Sequence, residues 1–318
     1  MIRTRLTEKH SLKYPVISAP MAFAATGELA IAVSKAGGLG LIGGANGDAD
    51  WVREQFSVVG DQNVGCGFIT WALEEAVLEE TLEQNPSALM LSFGNPAAYA
   101  ASIRSRLIPL ICQIQTYADA QCALDCGADI IVAQGAEAGG HGDKRSTFTL
   151  VPEVRDLIDR AYPDALLCAA GGIADGRGIA AALMLGADGV LMGSRLWASV
   201  EADVSRDMHE AVMQASGDAT LRTSVVDVVR NLDWSERYTA RVLKNEFTER
   251  WHYDLDGLRK APESVARVWK QAWDNGDPQH SNTFIGEVTG LLNTIEPVAT
   301  LIDRAMSEAE ELLGKGWT

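Results

Sequence analysis

A histidine and four glycines follow an apolar run in the stretch Val132-Ala133-Gln134-Gly135-Ala136-Glu137-Ala138-Gly139-Gly140-His141-Gly142. Histidine is the side chain best suited to transfer a proton near neutral pH. Glycine has no Cβ, so a glycine-rich loop can bring backbone N–H groups close to a flat or phosphorylated ligand. The apolar run 130–133 predicts a buried strand, and His141 would then follow its carboxyl end. We predict that His141 is an active-site group, although the loop alone leaves open an exposed histidine in a turn.

Two further glycine turns have the composition of a phosphate site, Ala169-Ala170-Gly171-Gly172-Ile173 and Leu191-Met192-Gly193-Ser194-Arg195. Each places small residues at the start of a predicted helix, where free N–H groups and the helix dipole stabilise an anion. The residues predicted to hold the anion are Gly171, Gly172, Gly193 and Ser194. Ordinary strand-to-helix turns are the alternative, and Arg195 would either add charge or be a solvated helix residue.

Three other stretches are suited to the planar part of a cofactor. The turn Ala19-Pro20-Met21-Ala22-Phe23 is apolar and could lie along a ring. Gln113 and Gln134 end the fifth and sixth predicted strands, and their amides could bond ring atoms or a sugar hydroxyl. A buried glutamine satisfied by the backbone is the alternative for each. Glu137 could orient His141, but loop hydrogen bonding is the favoured interpretation. The sequence shows no nucleophilic triad, Walker loop or acidic metal cluster, so no metal is predicted.

The elements that must position these residues alternate regularly along the chain. Apolar runs of the kind expected for parallel strands buried on both faces are separated by amphipathic helical stretches. This alternation predicts an α/β fold, a (β/α)8 TIM barrel. A doubly wound open sheet is disfavoured because the glycines cluster after the last three strands. The predicted strands are 16–19, 40–43, 64–69, 88–92, 110–113, 130–133, 165–169 and 189–192, and the predicted helices are 28–36, 51–58, 74–84, 97–106, 116–126, 152–161, 177–185 and 195–202.

The pattern changes after residue 202. Polar, helix-prone sequence without strand alternation predicts a helical insertion over the barrel mouth, at 203–280. Its aromatic side chains are interpreted as core packing, which is more common than a binding role. A closing segment, 281–318, would return to the barrel, which itself occupies 1–202. The aromatic residues of the insertion are Trp234, Tyr238, Trp251, Tyr253, Trp269 and Trp273.

Composition limits the partners and the compartment. The 318 residues are 47% hydrophobic, which suffices for a large core, and carry a net charge of −16. That charge argues against a nucleic-acid or anionic-membrane partner, because phosphate binding needs a basic footprint. The five cysteines form no CxxC pair and are interpreted as small buried thiols. No run approaches the roughly 20 apolar residues of a membrane span, and residues 1–9 lack the apolar part of a signal peptide. We predict a cytoplasmic protein and leave its oligomeric state open.

Six motifs in order along the chain resemble the nitronate monooxygenase family, formerly called 2-nitropropane dioxygenases. The resemblance covers residues 15–202 and returns weakly at 286–291. It is most specific in the string containing His141 followed by the two glycine turns. The motifs are Ala19-Pro20-Met21, Ala36-Gly37-Gly38-Leu39-Gly40, Ser92-Phe93-Gly94, Gln134-Gly135-Ala136-Glu137-Ala138-Gly139-Gly140-His141, Ala169-Ala170-Gly171-Gly172-Ile173 and Met192-Gly193-Ser194-Arg195.

The resemblance implies a barrel that binds FMN without a covalent link. It implies a reaction in which O2 and a small-molecule nitronate give a carbonyl compound and nitrite. His141 matches the family's active-site histidine and would take the α-proton of a neutral nitroalkane or bond its nitro group. The FMN phosphate would lie on Gly171, Gly172, Gly193 and Ser194, and the ring and ribityl chain near Met21, Ala22, Gln113, Gln134, Gly139 and Gly140.

Two alternatives and two departures accompany this expectation. An NAD(P)H-dependent reductase of quinones or enoyl thioesters would share the barrel and FMN. A flavin-free phosphate-binding barrel would keep only the glycine turns. Many relatives carry asparagine where this chain has Gly67, and arginine where it has Gly142. The first departure puts one flavin contact in doubt, and the second weakens inference about the charge of the substrate.

Overall fold

Eight parallel strands surround the centre of the computed structural model, which describes residues 2–315. Three further strands form a separate antiparallel sheet beside the barrel mouth. The barrel strands are β1 Val16–Ser18, β2 Gly40–Ala45, β3 Val64–Ile69, β4 Leu89–Ser92, β5 Leu110–Ile114, β6 Ile130–Gln134, β8 Leu166–Ala170 and β9 Gly189–Met192, and the second sheet contains β7 Gly140–Gly142, β10 Thr220–Thr223 and β11 Thr239–Leu243.

Helices cover the outside of the barrel and one end of it. The helices are α1 Arg5–His10, α2 Gly27–Ala36, α3 Ala49–Val59, α4 Glu75–Glu83, α5 Ala97–Ser105, α6 Tyr117–Asp125, α7 Thr147–Ala161, α8 Gly176–Met184, α9 Ser194–Trp197, α10 Arg206–Met213, α11 Val225–Val229, α12 Glu246–Trp251, α13 Leu255–Arg259, α14 Glu263–Asp274 and α15 Val298–Lys315. Short 3-10 turns occupy Thr70–Ala72, Gly217–Ala219 and Glu287–Leu291.

The barrel closes between its first two strands. The order around it is β1-β9-β8-β6-β5-β4-β3-β2, and Leu39, just before β2, bridges back to Ile17 of β1. The Ser18 N–H donates to the Leu39 carbonyl at 3.0 Å, and the Leu41 N–H donates to Ser18 Oγ at 2.8 Å. The predicted (β/α)8 barrel and all eight predicted strands are confirmed, with ends displaced by at most two residues. The strands are apolar on both faces because one face fills the barrel and the other packs under the helices.

The last outer helix comes from the end of the chain. The predicted helix 195–202 is wrong in extent, since α9 makes only one turn. Its place is taken by α15, which packs between α8 and α2. The division of the chain into segments 1–202, 203–280 and 281–318 stays a prediction. Residue 1 of the first segment and residues 316–318 of the last lie outside the described residues.

The segment 203–280 is not purely helical, which corrects the prediction. It holds α10–α14 but also β10 and β11, and β11 pairs with β7, the strand that carries His141. These strands lack an apolar alternation because Arg222 and Arg241 face each other across them and are largely buried. Both guanidinium groups donate to the Ala136 carbonyl, at 3.0–3.2 Å. The two arginines therefore hold the loop before His141. Because charged residues interrupt the apolar alternation of a strand, the hydrophobic pattern does not predict β10 and β11.

Gly67 on β3 lies under the turn that follows β1. A Cβ at Gly67 would come within 2.4 Å of Pro20 Cγ, so the chain has no room there for the asparagine that many relatives carry. We expect Gly67→Asn to lower the free energy of unfolding by about 1–3 kcal/mol, because overpacking forces the turn to move. Urea denaturation measures this, with Gly314→Asn as the control, because nothing lies within 4 Å of a Cβ there. Equal midpoints for both variants and the parent would contradict the packing of Pro20 on β3.

Candidate active site

The mouth of the barrel is lined mainly by small side chains. The interior residues Ile17, Leu41, Met90 and Leu191 are fully or almost fully buried. Because side chains two apart on a strand share a face, the residues two positions further on line the next layer towards the carboxyl ends. That layer consists of Ala19, Gly43, Gly67, Ser92, Gln113, Gln134, Ala170 and Gly193. Six of these eight residues are glycine, alanine or serine. The turn after β1 covers two of them, since a Cβ would lie 2.3 Å from the Met21 carbonyl oxygen at Gly43 and 2.4 Å from Pro20 Cγ at Gly67.

His141 lies beside this mouth, held by the second sheet. His141 pairs with Ala240 of β11 in the antiparallel sheet, and the His141 side chain is only 10% exposed. The ring Nε2 is 2.9 Å from Oδ1 of Asp227, a residue of α11 whose side chain is 5% exposed. One face of the imidazole stacks on Trp234, with ring centroids 3.5 Å apart and planes within 5°. A buried carboxylate and an indole thus fix the position of the ring.

Trp234 belongs to an aromatic wall around His141. Its ring meets those of Trp71, Phe93 and Tyr238 edge to face, with centroids 5.2–6.2 Å apart. Trp234 is only partly buried and belongs to none of the hydrophobic clusters of the described residues, so its interpretation as core packing is wrong. The same interpretation is confirmed for Trp251 and Trp269, which are buried in a separate cluster, whereas Tyr253 is 93% exposed.

The glutamines at the mouth differ in their hydrogen bonding. Gln134 Oε1 accepts from Gln115 Nε2 at 2.9 Å, and Gln134 Nε2 donates to the His141 carbonyl at 3.1 Å. Gln134 therefore supports the His141 loop. The side chain of Gln113 makes no hydrogen bond within residues 2–315, nor does that of Ser92, so both are free for a ligand. Gln115 was missed, although its spacing of two from Gln113 was the available signal.

The glycine turns meet at one side of the mouth. Gly171 and Gly172 have φ of +93° and +77°, which favours glycine, and a Cβ at Gly139 would lie 2.7 Å from the amide nitrogen of Gly286. The Gly286 N–H donates to Ser194 Oγ at 2.9 Å. The structure therefore brings together both predicted glycine turns and the His141 loop, and adds Gly286 to them.

Gly193 differs from these glycines because its surroundings are open. A Cβ there would meet only Ala19 Cβ at 3.5 Å and Met21 Sδ at 3.8 Å, which are ordinary contacts. In the described part of the chain, the N–H groups of Gly171, Gly172 and Gly193 donate to no backbone carbonyl. Met21, Ala22 and Gly140 complete the predicted set; Ala22 is exposed, and nothing lies within 4 Å of a Cβ at Gly140.

Arg195 and Glu137 have structural roles. Arg195 is buried and donates to the Ala198 and Thr294 carbonyls, so it is neither a ligand charge nor a solvated residue. Burial lowers the pKa of Arg195 to about 10. Glu137 accepts from the Thr147 N–H at 3.1 Å and from Thr147 Oγ1 at 2.9 Å. Loop hydrogen bonding by Glu137 is thereby confirmed, and the partner of His141 is Asp227, which the sequence did not indicate.

Arg237 ties the far side of the His141 loop to α6. It donates to both oxygens of Asp119 and, through Nε, to Asp143 Oδ2 at 2.7 Å. The hydrogen bonds to Asp119 raise the pKa of Arg237 above its usual value. A cavity of about 240 Å³ lies next to this ion cluster and reaches Gln113 and Tyr238. The cluster therefore borders the open space beside the mouth.

The sequence makes predictions about metal-ligating groups, membrane-spanning helices and cysteines, and residues 2–315 bear on each of them. No group of three or more histidine, cysteine or acidic side chains there is arranged to hold a metal ion. No helix in the same part of the chain is long and apolar enough to cross a bilayer. Cys66, Cys112 and Cys168 are buried as predicted, whereas Cys122 and Cys126 are only partly so. Burial raises the pKa of Cys66 to about 12, which keeps its thiol protonated.

Comparison with known proteins identifies the family. The family model described as nitronate monooxygenase matches residues 3–62 and 70–308. The chain belongs to the nitronate monooxygenase family. The unmatched stretch of this family member, 63–69, contains all of β3 and therefore Gly67. The family's sequence pattern thus breaks at the strand where Pro20 leaves no room for a side chain.

Individual relatives align with this chain over nearly its whole length. Nitronate monooxygenase npaC of Metarhizium robertsii is 34% identical, over 94% of this chain and 91% of that protein. Nitronate monooxygenase of Neurospora crassa is 29% identical, over 94% and 90%. The solved structure of FabK from Thermotoga maritima is 31% identical with a TM-score of 0.87, covering 99% of this family member and 98% of that chain.

Proposed function

We propose that the protein is an FMN-dependent oxidoreductase that oxidises alkyl nitronates with O2 to carbonyl compounds and nitrite. The observation that carries this proposal is the position of His141. His141 lies beside a mouth of small residues and glycine turns. The nitronate monooxygenase family model matches the chain along this barrel. The two relatives named nitronate monooxygenase support the same reaction. The protein's partners are then a small anionic or neutral nitro compound and O2.

The residues at the mouth fit FMN. A phosphate needs donors, and the N–H groups of Gly171, Gly172 and Gly193 are free of backbone acceptors, with Ser194 beginning α9. Backbone donors also suit a protein whose net charge is −16. The ring would lie over the small residues of the mouth, against Met21, Ala22, Gly139 and Gly140, with Gln113 available for its polar edge and Gln134 supporting the loop. Bound FMN supplies the electron transfer from the nitronate to O2.

The protein's own chemistry then centres on His141. A neutral nitroalkane must lose its α-proton, and His141 is the side chain at the mouth that can accept it. A nitronate has already lost that proton, so the imidazole only bonds a nitro oxygen. Trp234, Phe93 and Tyr238 exclude water on one side and favour an apolar substituent on the substrate. The site is thus suited to alkyl nitronates without a second charged group.

The test is product analysis with the FMN-loaded protein and propyl-2-nitronate. We expect O2 consumption and release of acetone and nitrite in equal amounts. A protein that does not oxidise propyl-2-nitronate but oxidises NADH with a quinone or an enoyl thioester would favour the reductase alternative. A colourless protein that cannot be loaded with FMN would favour the flavin-free barrel. The cytoplasmic location stays a prediction.

A further inference from the structure

The contact between Asp227 and His141 assigns a role to a carboxylate that the proposed reaction does not itself require. We propose that Asp227 is a positioning residue that keeps the proton on His141 Nε2 and leaves Nδ1 to accept the α-proton of a neutral nitroalkane. This inference rests on the proposed function and deepens it, because it separates neutral nitroalkanes from nitronates as substrates. Asp227 is 86 residues from His141 in the sequence and belongs to α11, whereas His141 belongs to β7.

The chemistry of the two partners sets the direction of the hydrogen bond. An ionised carboxylate only accepts hydrogen bonds, so Nε2, at 2.9 Å from Oδ1, must be the donor. A neutral imidazole carries one proton, and Nδ1 therefore keeps its lone pair. Within residues 2–315, the ring makes no other hydrogen bond. The free nitrogen is thus available to a substrate.

Two features of its surroundings distinguish the Asp227 carboxylate. Its Oδ2 is buried without a hydrogen-bond partner in the described chain, an arrangement that costs stability and calls for a functional reason. Arg230 follows three residues later, which places it near the same side of α11. Burial lowers the pKa of Arg230, and the negative charge of Asp227 acts against that lowering. Arg230 therefore places a positive charge near the carboxylate that contacts His141.

The ring cannot easily rotate to exchange its two nitrogens. Trp234 covers one face at 3.5 Å, and Phe93 approaches with centroids 6.2 Å apart. The His141 backbone is fixed by its pairing with β11 and by the hydrogen bond from Gln134 Nε2 to its carbonyl. The orientation that points Nε2 at Asp227 is therefore built into the fold.

Asp227→Asn tests the proposal, because its amide N–H₂ can donate to Nε2 and shift the proton to Nδ1. We expect kcat/KM with neutral 2-nitropropane to fall about 100-fold or more, a typical contribution of a well-placed base. With propyl-2-nitronate the change should stay within about threefold, because no proton is removed. Asp227→Glu should recover part of the loss.

Asp143→Asn is the matched control. It removes a carboxylate two residues from His141 that bonds Arg237 and does not touch the imidazole. We expect this variant to treat the two substrates alike. In the His141→Ala background, Asp227→Asn should cause no further loss with 2-nitropropane, because both changes act through the same ring. Equal losses with both substrates, or additive losses in the double variant, would show that Asp227 only stabilises the fold.

A measurement without substrate separates this inference from the proposed function. Nitrogen-15 spectra of the histidine rings, with His141 identified by its loss in His141→Ala, report which nitrogen carries the proton. We expect protonated Nε2 in the parent at pH 8.5 and protonated Nδ1 in Asp227→Asn. Protonated Nδ1 in the parent would overturn the inference even if nitronates are oxidised. The expected spectra would uphold the tautomer assignment even if they are not.

Discussion

Replacing His141 with alanine is expected to lower turnover of neutral nitroalkanes by about two to four orders of magnitude while bound FMN is retained. The imidazole contacts Asp227 and Trp234 and does not belong to the glycine turns that we assign to the phosphate. Its loss removes the proton acceptor without removing a cofactor ligand. Steady-state kinetics with 2-nitropropane, together with the flavin absorbance of the purified variant, measures both effects.

The control for this change is another histidine outside the site. His280 is exposed and bonds Asp277, so His280→Ala should leave turnover unchanged. His141→Gln serves as a second variant, because alanine leaves the buried Asp227 carboxylate unpaired and can weaken the fold. Parent-like turnover of 2-nitropropane in both His141 variants would remove His141 from the mechanism.

Replacing Gly193 with valine is expected to weaken FMN binding about 100-fold, or about 2.7 kcal/mol. The backbone φ of −105° at Gly193 lies outside the left-handed region that favours glycine, and a Cβ would make only ordinary contacts with Ala19 and Met21. A valine side chain would therefore fold into place and occupy the space assigned to the cofactor. Titration of flavin fluorescence with the FMN-free protein measures the affinity.

Two comparisons show whether a loss of FMN affinity in Gly193→Val comes from a blocked cofactor site or from a destabilised fold. The free energy of unfolding of FMN-free Gly193→Val should stay within about 1 kcal/mol of the parent. Gly171→Ala should by contrast destabilise the FMN-free protein, because φ is +93° and its Cβ would lie 3.0 Å from the Gly135 carbonyl oxygen. Unchanged FMN affinity in Gly193→Val would place the cofactor elsewhere.

The barrel could be predicted from the sequence because its strands obey one simple constraint. Strands buried on both faces read as short apolar runs, and the runs at 64–69 and 189–192 coincide with β3 and β9 to the residue. The glycine turns were equally predictable, since each follows a strand and opens a helix. The position of His141 beyond a strand end placed it at the mouth for the same reason.

The second sheet and its consequences could not be predicted. β10 and β11 carry largely buried arginines that donate to the Ala136 and Thr239 carbonyls, and Arg241 also forms an ion pair with Glu287 at 2.7 Å. These contacts are visible only after folding. Asp227 reaches His141 only because β11 pairs with β7 and brings α11 alongside. Trp234 and Trp251 look alike in sequence, yet one stacks on His141 and the other fills a core. Contacts between distant segments decide such roles.

The most direct test of the proposed function is anaerobic flavin absorbance after mixing the FMN-loaded protein with propyl-2-nitronate, with NADH mixed in parallel. A protein that oxidises nitronates should show flavin reduction by the nitronate and none by NADH. Reduction by NADH and not by the nitronate would contradict the proposal and identify a pyridine-nucleotide-dependent reductase on the same barrel.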